Sequence, residues 1–498
     1  MKRRSFVSLA SIGIPALFFT PIHGYSGVSE KKPKNFKRVV LNVISSGDAE
    51  LPSGKRTSFG WPSVGIAPGS SLVLKPEKKL SGEHFWFRLS GALEIWDIKL
   101  LKVKIANVGT ELGTMDIRHS SVLVPYELKI NAEFIPLINQ YGIELTLDSP
   151  SSLWIFSERD RQIDNSAFLP HILIANEETG TTEAFLSCME SVNSIQSFGW
   201  REGTVLDGLW QLYKLKGHKK ALDVINQHFS LYFRDGNLCY ENGRSDPRLN
   251  VIDGIESTIP FATLVRLDKN LPILKTVVDG WEKLKKPDGR IIDGTLVSAE
   301  GCYTIAYPMA VIGKAWSDEK LMKEALNQLK QRFVLYNDNK IYLRYNTGNG
   351  NYTYPNWARG AAWNLLGFCR TIVELKDIMT DDDIVKKFRE GIDLALSMQR
   401  EDGLWGCFMH KLDSLPDTSG SAGIAAAILI GVRNNILPTV YALRAKKCWR
   451  GLQAYITPDG FLKGVAQDNR GGIELQESDY RVIAQMGMGM LSQLYAEL

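Results

Sequence analysis

Residues 357–363 read Trp-Ala-Arg-Gly-Ala-Ala-Trp and open an apolar run that continues through Phe368. In an α-helix, Arg359 and Trp363 stand at positions i and i+4, so both side chains project from the same face. An indole beside a guanidinium, at a helix start with free N–H groups, suits a sugar ring that bears a carboxylate. The alternative is a buried tryptophan packed against the aliphatic stem of the arginine.

From Gly199 onward, apolar residues recur with the spacing of α-helices. One apolar stripe lies in residues 206–213 and a second in 221–229, and a short polar link joins them. Similar pairs recur over residues 253–286, 300–336, 358–398, 419–455 and 478–498. Helical hairpins arranged in this way predict an (α/α)6 toroid over residues 196–498, in which the loops before the inner helices share one mouth.

Residues 36–190 alternate between apolar and polar in the manner of β-strands, as in Phe85-Trp86-Phe87-Arg88-Leu89. Many short strands separated by turn residues predict an antiparallel β-sandwich. Two roles stay open for this accessory domain. It binds carbohydrate through Trp86, Trp96 or Trp154, or it braces the second half, and we favour bracing.

The first 25 residues are typical of an export signal, with Lys2-Arg3-Arg4 followed by an apolar segment from Phe6 to Phe19. That segment is too short to span a bilayer as a mature helix. The paired arginines fit either a twin-arginine or a Sec signal. We therefore predict a bacterial protein that is periplasmic or attached to the cell surface, with no transmembrane segment after cleavage of residues 1–25.

The composition argues against several classes of function. The 59 basic and 55 acidic residues nearly balance at a net charge of +4, and without a dense basic run nucleic-acid binding has no support. The six cysteines form no C-x-x-C pair, and the seven histidines form no H-x-x-x-H motif. We therefore expect no metal and no cofactor.

The motif at 357–363 is similar to W-x-R-G-x-x-W, and it is followed by Gly403-Leu404-Trp405 and by Asp417-Thr418-Ser419-Gly420-Ser421-Ala422. In order and spacing these segments resemble the six-hairpin glycosidases, specifically the unsaturated glucuronyl and rhamnogalacturonyl hydrolases of glycoside hydrolase families 88 and 105. The resemblance covers residues 196–498. It implies an exo-acting hydrolase that removes a terminal unsaturated uronic acid from polysaccharide-derived oligosaccharides.

The resemblance also implies a pair of catalytic carboxyl groups, Asp253 and Glu300, each at the start of an inner helix. Glu300 is the expected proton donor, a role that requires a raised pKa. Two positions depart from the family. A glutamate stands at 300 where the family has aspartate, and Arg344 stands where it has histidine. For each acid, the alternative is a helix cap.

Aromatic and cationic residues near the same helix starts complete the predicted site. Arg344 and Arg359 are the expected partners of the substrate carboxylate, and Trp357 or Trp363 is the expected stacking platform. We expect Asp417 to cap a helix. The remaining predicted substrate-binding residues are Trp200, Glu202, Tyr303 and Trp405.

Other functions remain open for the same fold. A saturated β-glucuronidase would use the same pair of acids. A polysaccharide lyase would recruit Tyr303, Tyr307 and Arg344 and would create, rather than destroy, an unsaturated uronide. A glycan-binding protein that has lost its catalyst would bind sugar without turnover.

Overall fold

The computed structural model describes residues 35–45 and 47–498. The predicted signal segment, residues 1–25, lies outside the described residues. A region of antiparallel strands is followed by a region of helices, which confirms the predicted order of the two halves. Among the described residues, no helix has the length and apolar character needed to cross a membrane.

The strand region contains the elements that precede residue 190. Its short helices are α1 (Ile135–Tyr141) and α2 (Thr182–Met189). Its strands are β1 (Phe36–Val43), β2 (Ser63–Ile66), β3 (Ser71–Pro76), β4 (His84–Ser90), β5 (Ile98–Ile105), β6 (Glu111–Arg118), β7 (Pro125–Ile130), β8 (Ile143–Asp148), β9 (Leu153–Phe156) and β10 (His171–Ala175).

Strand β1 joins two sets of strands in this region. Residues 36–40 pair with β10, whereas residues 41–43 pair with β3. The hydrogen-bonded order is β6-β5-β8-β3-β1-β10-β4-β7, and β2 pairs with β9 apart from it. Along β5, Leu101, Val103 and Ile105 are buried and alternate with half-buried residues, because successive side chains of a strand point to opposite faces.

The helical region begins at Trp200. Its helices are α3 (Trp200–Lys216), α4 (Lys219–Tyr232), α5 (Pro260–Leu267), α6 (Pro272–Leu284), α7 (Tyr307–Trp316), α8 (Glu319–Lys330), α9 (Ala358–Leu375), α10 (Asp382–Ser397), α11 (Thr418–Arg433), α12 (Ala442–Leu452), α13 (Gly472–Glu477) and α14 (Gln485–Glu497). Short strands lie between them: β11 (Phe233–Arg234), β12 (Asn237–Glu241), β13 (Pro247–Leu249), β14 (Leu296–Ser298), β15 (Tyr336–Asn337), β16 (Lys340–Asn346), β17 (Tyr352–Pro355), β18 (Val465–Ala466) and β19 (Arg481–Val482).

Helices α3, α5, α7, α9, α11 and α14 contact one another in that order, and α14 contacts α3 again. These ring helices are buried on almost every side, as residues 418–431 of α11 show. A helix that is apolar all round must lie inside a protein. By contrast, α8, α10 and α12 bury one face and expose the other, so they cover the ring from outside.

Glycines allow the ring helices to approach one another closely. A Cβ atom on Gly489 of α14 would lie 2.3 Å from the carbonyl oxygen of Thr204 in α3. A Cβ atom on Gly420 of α11 would lie 2.7 Å from the backbone of Ala358 in α9. These contacts hold the starts of neighbouring ring helices in fixed positions.

A buried ion cluster joins the two regions. Asp459 of the helical region accepts hydrogen bonds from Arg38 Nη2 at 2.6 Å and from Arg88 Nη1 at 2.8 Å, both in the strand region. Although burial raises the pKa of Asp459, the two guanidinium groups hold it well below the ordinary value of 3.8. The ion cluster therefore stabilises the folded protein fully at pH values above the ordinary pKa of 3.8, and this stabilisation is lost as the pH falls toward the depressed pKa of Asp459.

We expect Asp459→Asn to lower the free energy of unfolding by about 3–5 kcal/mol at neutral pH, because it leaves two buried cations without their anion. Chemical denaturation of the purified protein measures the change. Asp148→Asn is the matched control, since Asp148 pairs with Lys102 on the surface and its loss should cost less than about 1 kcal/mol. Equal effects of the two substitutions would contradict the role of Asp459.

Candidate active site

A cavity of about 280 Å³, measured with its open mouth, lies where segments that precede the ring helices meet. Its walls bring together most of the tryptophans and one of the acids predicted from the sequence. The lining residues are Trp200, Glu256, Glu300, Trp357, Arg359, Trp363, Asp468 and Asn469. Two carboxyl groups in this set, Glu256 and Asp468, were absent from the sequence-based prediction.

Glu256 lies in a short turn, Ile255–Ser257, just before α5. Its side chain reaches the cavity surface, yet protein atoms surround it densely. This burial, with the negative charges of Glu300 and Asp468 nearby, raises the pKa of Glu256 to about 8, against the opposing effects of Arg201 and Arg344. Glu256 is therefore largely protonated at neutral pH.

Asp253, the acid predicted to pair with Glu300, does not line this cavity. Its side chain is 43% exposed and lies 3.5 Å from Arg248. The chain turns at Gly254, where φ is +71° and where the carboxylate of Asp293 lies close by. This turn leaves Asp253 at the surface and presents Glu256 to the cavity. Glu256, and not Asp253, therefore lines the cavity with Glu300, and the catalytic role of Asp253 stays a prediction.

Glu300 stands immediately before a π-helical turn, Cys302–Ala306, that leads into α7. Its side chain is 12% exposed, and its Oε1 lies 3.6 Å from Nη2 of Arg344. The pairing of β14 with β16 sets Arg344 opposite Ser298, which brings the guanidinium next to Glu300. The charge of Glu300 is the main cause of the raised pKa of Arg344.

The Arg359 guanidinium is anchored by the backbone of the opposite wall. Nη1 donates to the carbonyl of Ala466 at 2.6 Å and Nη2 to that of Gln467 at 2.7 Å. The guanidinium also lies 4.6 Å from the ring centre of Trp357. Its terminal nitrogens therefore hold the segment that carries Asp468, and its predicted role as a partner of the substrate carboxylate stays a prediction.

Asp417 holds the same segment from the other side. It caps α11 as expected, since its Oδ1 accepts a hydrogen bond from the N–H of Ser419 at 3.1 Å. The same oxygen accepts the N–H of Ala466 at 3.1 Å. The position of residues 466–468 thus depends on the starts of α9 and α11.

Two tryptophans form the aromatic wall. The rings of Trp200 and Trp363 meet edge to face with centres 5.2 Å apart. Trp363 also stacks on Tyr303, with ring centres 5.8 Å apart. The wall that faces the cavity is therefore supported by a second aromatic layer behind it.

Besides Arg344, three predicted binding residues are absent from the lining of this cavity. Glu202 follows Trp200 by two positions in α3, so its side chain points away from the helix face that carries Trp200. It is fully buried and accepts a hydrogen bond from the N–H of Gln196. Tyr303 donates its hydroxyl hydrogen to buried Asp207 at 2.5 Å. Trp405 donates to the carbonyl of Ala395 at 2.7 Å. All three support the walls.

Asp468 faces the cavity from the loop after β18. Its Oδ2 lies 2.5 Å from Nη2 of Arg201. Although burial raises the pKa of Asp468, Arg470 and Arg201 hold it below its usual value. In the sequence it lies in a polar loop with no helical or strand periodicity, so no signal pointed to it. Within residues 35–45 and 47–498, no group of three His, Cys, Asp or Glu side chains could hold a metal ion.

Comparisons with known proteins agree with this geometry. The family model described as Glycosyl Hydrolase Family 88 matches residues 175–498. No curated protein sequence matches the chain. Among solved structures, a glycoside hydrolase from family 105 of C. acetobutylicum is 20% identical with a TM-score of 0.54, covering 63% of this chain and 98% of that one. A possible member of the GH105 family from Salmonella enterica is 20% identical with a TM-score of 0.53, covering 62% and 83%. These likenesses show a shared fold.

We expect Arg359→Met to lower the free energy of unfolding by about 3 kcal/mol, because two buried carbonyl groups lose their donors. Denaturation curves measure the change, and Arg161→Met, at an exposed position, is the matched control. Unchanged stability of Arg359→Met would mean that the guanidinium is not an anchor and is free to bind a ligand.

Proposed function

Because the chain belongs to glycosyl hydrolase family 88, we propose that this glycoside hydrolase removes a terminal unsaturated uronic acid from oligosaccharides made by polysaccharide cleavage. The observation that carries the proposal is the pair of cavity carboxyl groups, Glu256 and Glu300, with Arg344 beside them. One acid is held protonated and the other lies next to a guanidinium. Hydration of an enol ether needs this combination of a proton donor and a proton acceptor.

In the proposed reaction, Glu256 donates its proton to C4 of the unsaturated sugar. Glu300 accepts a proton from the water whose oxygen adds to C5. The hemiketal at C5 then opens: the bond from C5 to the ring oxygen breaks, the added oxygen becomes a carbonyl group, and its proton passes to the ring oxygen. C1 is now a hemiacetal, which forms an aldehyde as its bond to the glycosidic oxygen breaks, and the neighbouring sugar leaves with that proton as a free hydroxyl group. The raised pKa of Glu256, about 8, suits the donor role. This assignment moves the donor from Glu300, the sequence-based expectation, to Glu256.

The charges and shape of the cavity support a terminal uronic acid as the substrate. Arg344 is 28% exposed, so it can reach a substrate carboxylate. Arg359 lines the cavity, and its bonds to the carbonyl groups of Ala466 and Gln467 use two of its five N–H groups. Trp200 and Trp363 supply the apolar wall that a sugar ring needs.

The hydrogen bonds of the tyrosines argue against the lyase alternative. Tyr303 and Tyr307 both donate to the buried carboxylate of Asp207, at 2.5 and 2.9 Å. Burial raises the pKa of both hydroxyl groups. A lyase base must be deprotonated near the substrate, and neither tyrosine meets that requirement.

We further propose that the ring helices and their outer partners form an (α/α)6 toroid, and that the strand region is a β-sandwich whose halves share β1. The closed order of helix contacts supports the first proposal. The split pairing of β1 supports the second. Export to the periplasm or cell surface remains a proposal that rests on the sequence of residues 1–25.

We expect Glu256→Gln to lower kcat/KM by about a thousandfold, since it removes the proton donor but keeps the shape of the side chain. The assay follows the loss of ultraviolet absorbance as purified protein consumes lyase-generated oligosaccharides. Asp253→Asn is the control and should retain activity within threefold of the wild type. If Asp253→Asn is the inactive variant, the pair predicted from the sequence is correct. If the wild type consumes none of these substrates, saturated glucuronides should be assayed next.

The rate should also decrease on the alkaline side of the pH profile. Because Glu256 must be protonated to act, kcat/KM should fall as the pH rises through about 8. A pH profile on the best substrate measures this limb. A rate that instead increases over the same range would identify Glu256 as the base and overturn the assigned roles.

A further inference from the structure

A line of buried charges runs from the strand region into the cavity. It consists of Glu94, Arg470, Asp468 and Arg201, which we call the inter-region charge line. Glu94 belongs to the loop between β4 and β5, whereas the other three belong to the helical region. The strand region thus reaches a group that lines the candidate active site.

Glu94 is held in place by groups of both regions. Its side chain is 2% exposed, and its Oε2 accepts hydrogen bonds from Nη1 and Nη2 of Arg470 at 3.4 and 3.3 Å. Its N–H donates to Oγ of Ser245 at 2.9 Å. Burial raises the pKa of Glu94, and Arg470 opposes that effect. Among the described residues, its buried Oε1 has no hydrogen-bond partner.

Arg470 is enclosed by the strand region. Trp96 lies with its ring centre 4.4 Å from the Arg470 guanidinium and 3.6 Å from that of Arg244, so the indole contacts two cations. Nη2 of Arg470 also donates to the carbonyl of His119 at 3.1 Å. The orientation of Arg470 is therefore set by residues outside the helical region.

Arg470 in turn fixes Asp468 at the cavity wall. Its Nε lies 3.3 Å from Oδ1 of Asp468, and its backbone N–H donates to the same oxygen at 3.1 Å. Arg201 holds the other oxygen and lies 4.3 Å from the ring centre of Trp200. Asp468 is thus held by a hydrogen bond from Arg201 and by an ion pair with Arg470, and the Arg201 guanidinium also lies against the aromatic wall.

The contrast with the other buried ion cluster is informative. Both oxygens of Asp459 accept hydrogen bonds from arginines of the strand region, so this carboxylate joins the two regions. Glu94 instead pairs with Arg470, which also lies against Asp468 of the cavity wall. This connection to a residue that lines the cavity favours a role of Glu94 in the site.

We propose that Glu94 is a positioning residue of the active site, acting through Arg470 on the orientation of Asp468 and Arg201. The strand region then completes the cavity instead of only bracing it. This inference rests on the proposed function, because it assigns Glu94 to the site where a uronic acid would be hydrolysed.

Charge and geometry both predict the effect of removing Glu94. Without it, Arg470 can turn fully toward Asp468 and draw that carboxylate away from Arg201. The groups that face Glu256 are Glu300, Asp468, Arg201 and Arg344. With the Asp468 carboxylate displaced, Glu256 loses one of the negative charges that raise its pKa, so activity should be lost at a lower pH.

The test compares Glu94→Gln with Glu127→Gln. Glu127 is the matched control, because its Oε2 also accepts two hydrogen bonds from one guanidinium, that of Arg88. Arg88 in turn binds Asp459, which does not line the cavity. We expect Glu94→Gln to lower kcat about tenfold with KM within threefold, since small displacements in a site are costly. The fall in the activity of this variant at alkaline pH should begin at a lower pH than in the wild type. Glu127→Gln should keep wild-type kinetics and pH profile even if its unfolding midpoint falls.

A second variant guards against loss of folding. Arg470→Lys keeps the positive charge but cannot span two carboxylates, so it should reproduce the fall in kcat and the loss of activity at a lower pH. Wild-type kcat and pH profile in both variants would overturn the positioning role and leave the proposed function intact.

If the wild type turns over no uronide, the proposed function fails and crystal structures test the positioning role separately. An Asp468 carboxylate that is reoriented in Glu94→Gln relative to the wild type would support it. An Asp468 carboxylate that keeps its place and its bond to Arg201 would overturn it.

Discussion

The ring helices can exist only because each is enclosed on all sides. Helix α11 is apolar along nearly its whole surface, so it must pack between α9 and α14 within an outer layer. Glycines such as Gly420 and Gly489 remove the side chains that would separate these helices. Because the helices are fixed laterally, residues just before them are fixed as well. The cavity inherits its geometry from this packing.

Charge balance in the cavity follows from the same enclosure. Three carboxyl groups meet in a small space, which no protein tolerates without protonation or cations. Here Glu256 takes the proton, while Arg344 lies beside Glu300 and Arg201 beside Asp468. The chemistry assigned to the site is thus a consequence of how closely the acids are confined.

Periodicity and motif spacing are local properties of the chain. From them we could predict that strands precede helices and that residues 357–363 and Glu300 lie in one site. Asp253 is expected from the sequence to face the same cavity as Glu300, but the chain turns with a positive φ at Gly254, and Glu256 lines the cavity instead. Asp468 could not be found, because it reaches the cavity from a loop held by Arg359 and Asp417. Contacts between distant backbone segments leave no pattern in the sequence.

The closure of the ring by α14 against α3 has a consequence for biosynthesis. The segment that carries Asp468 and the helix that seals the ring both come late in the chain, whereas Trp200 and α3 come near its middle. The flank of α3 that α14 covers is therefore completed only by the last helix of this sequence. A chain interrupted before residue 468 would have neither a sealed ring nor a complete cavity.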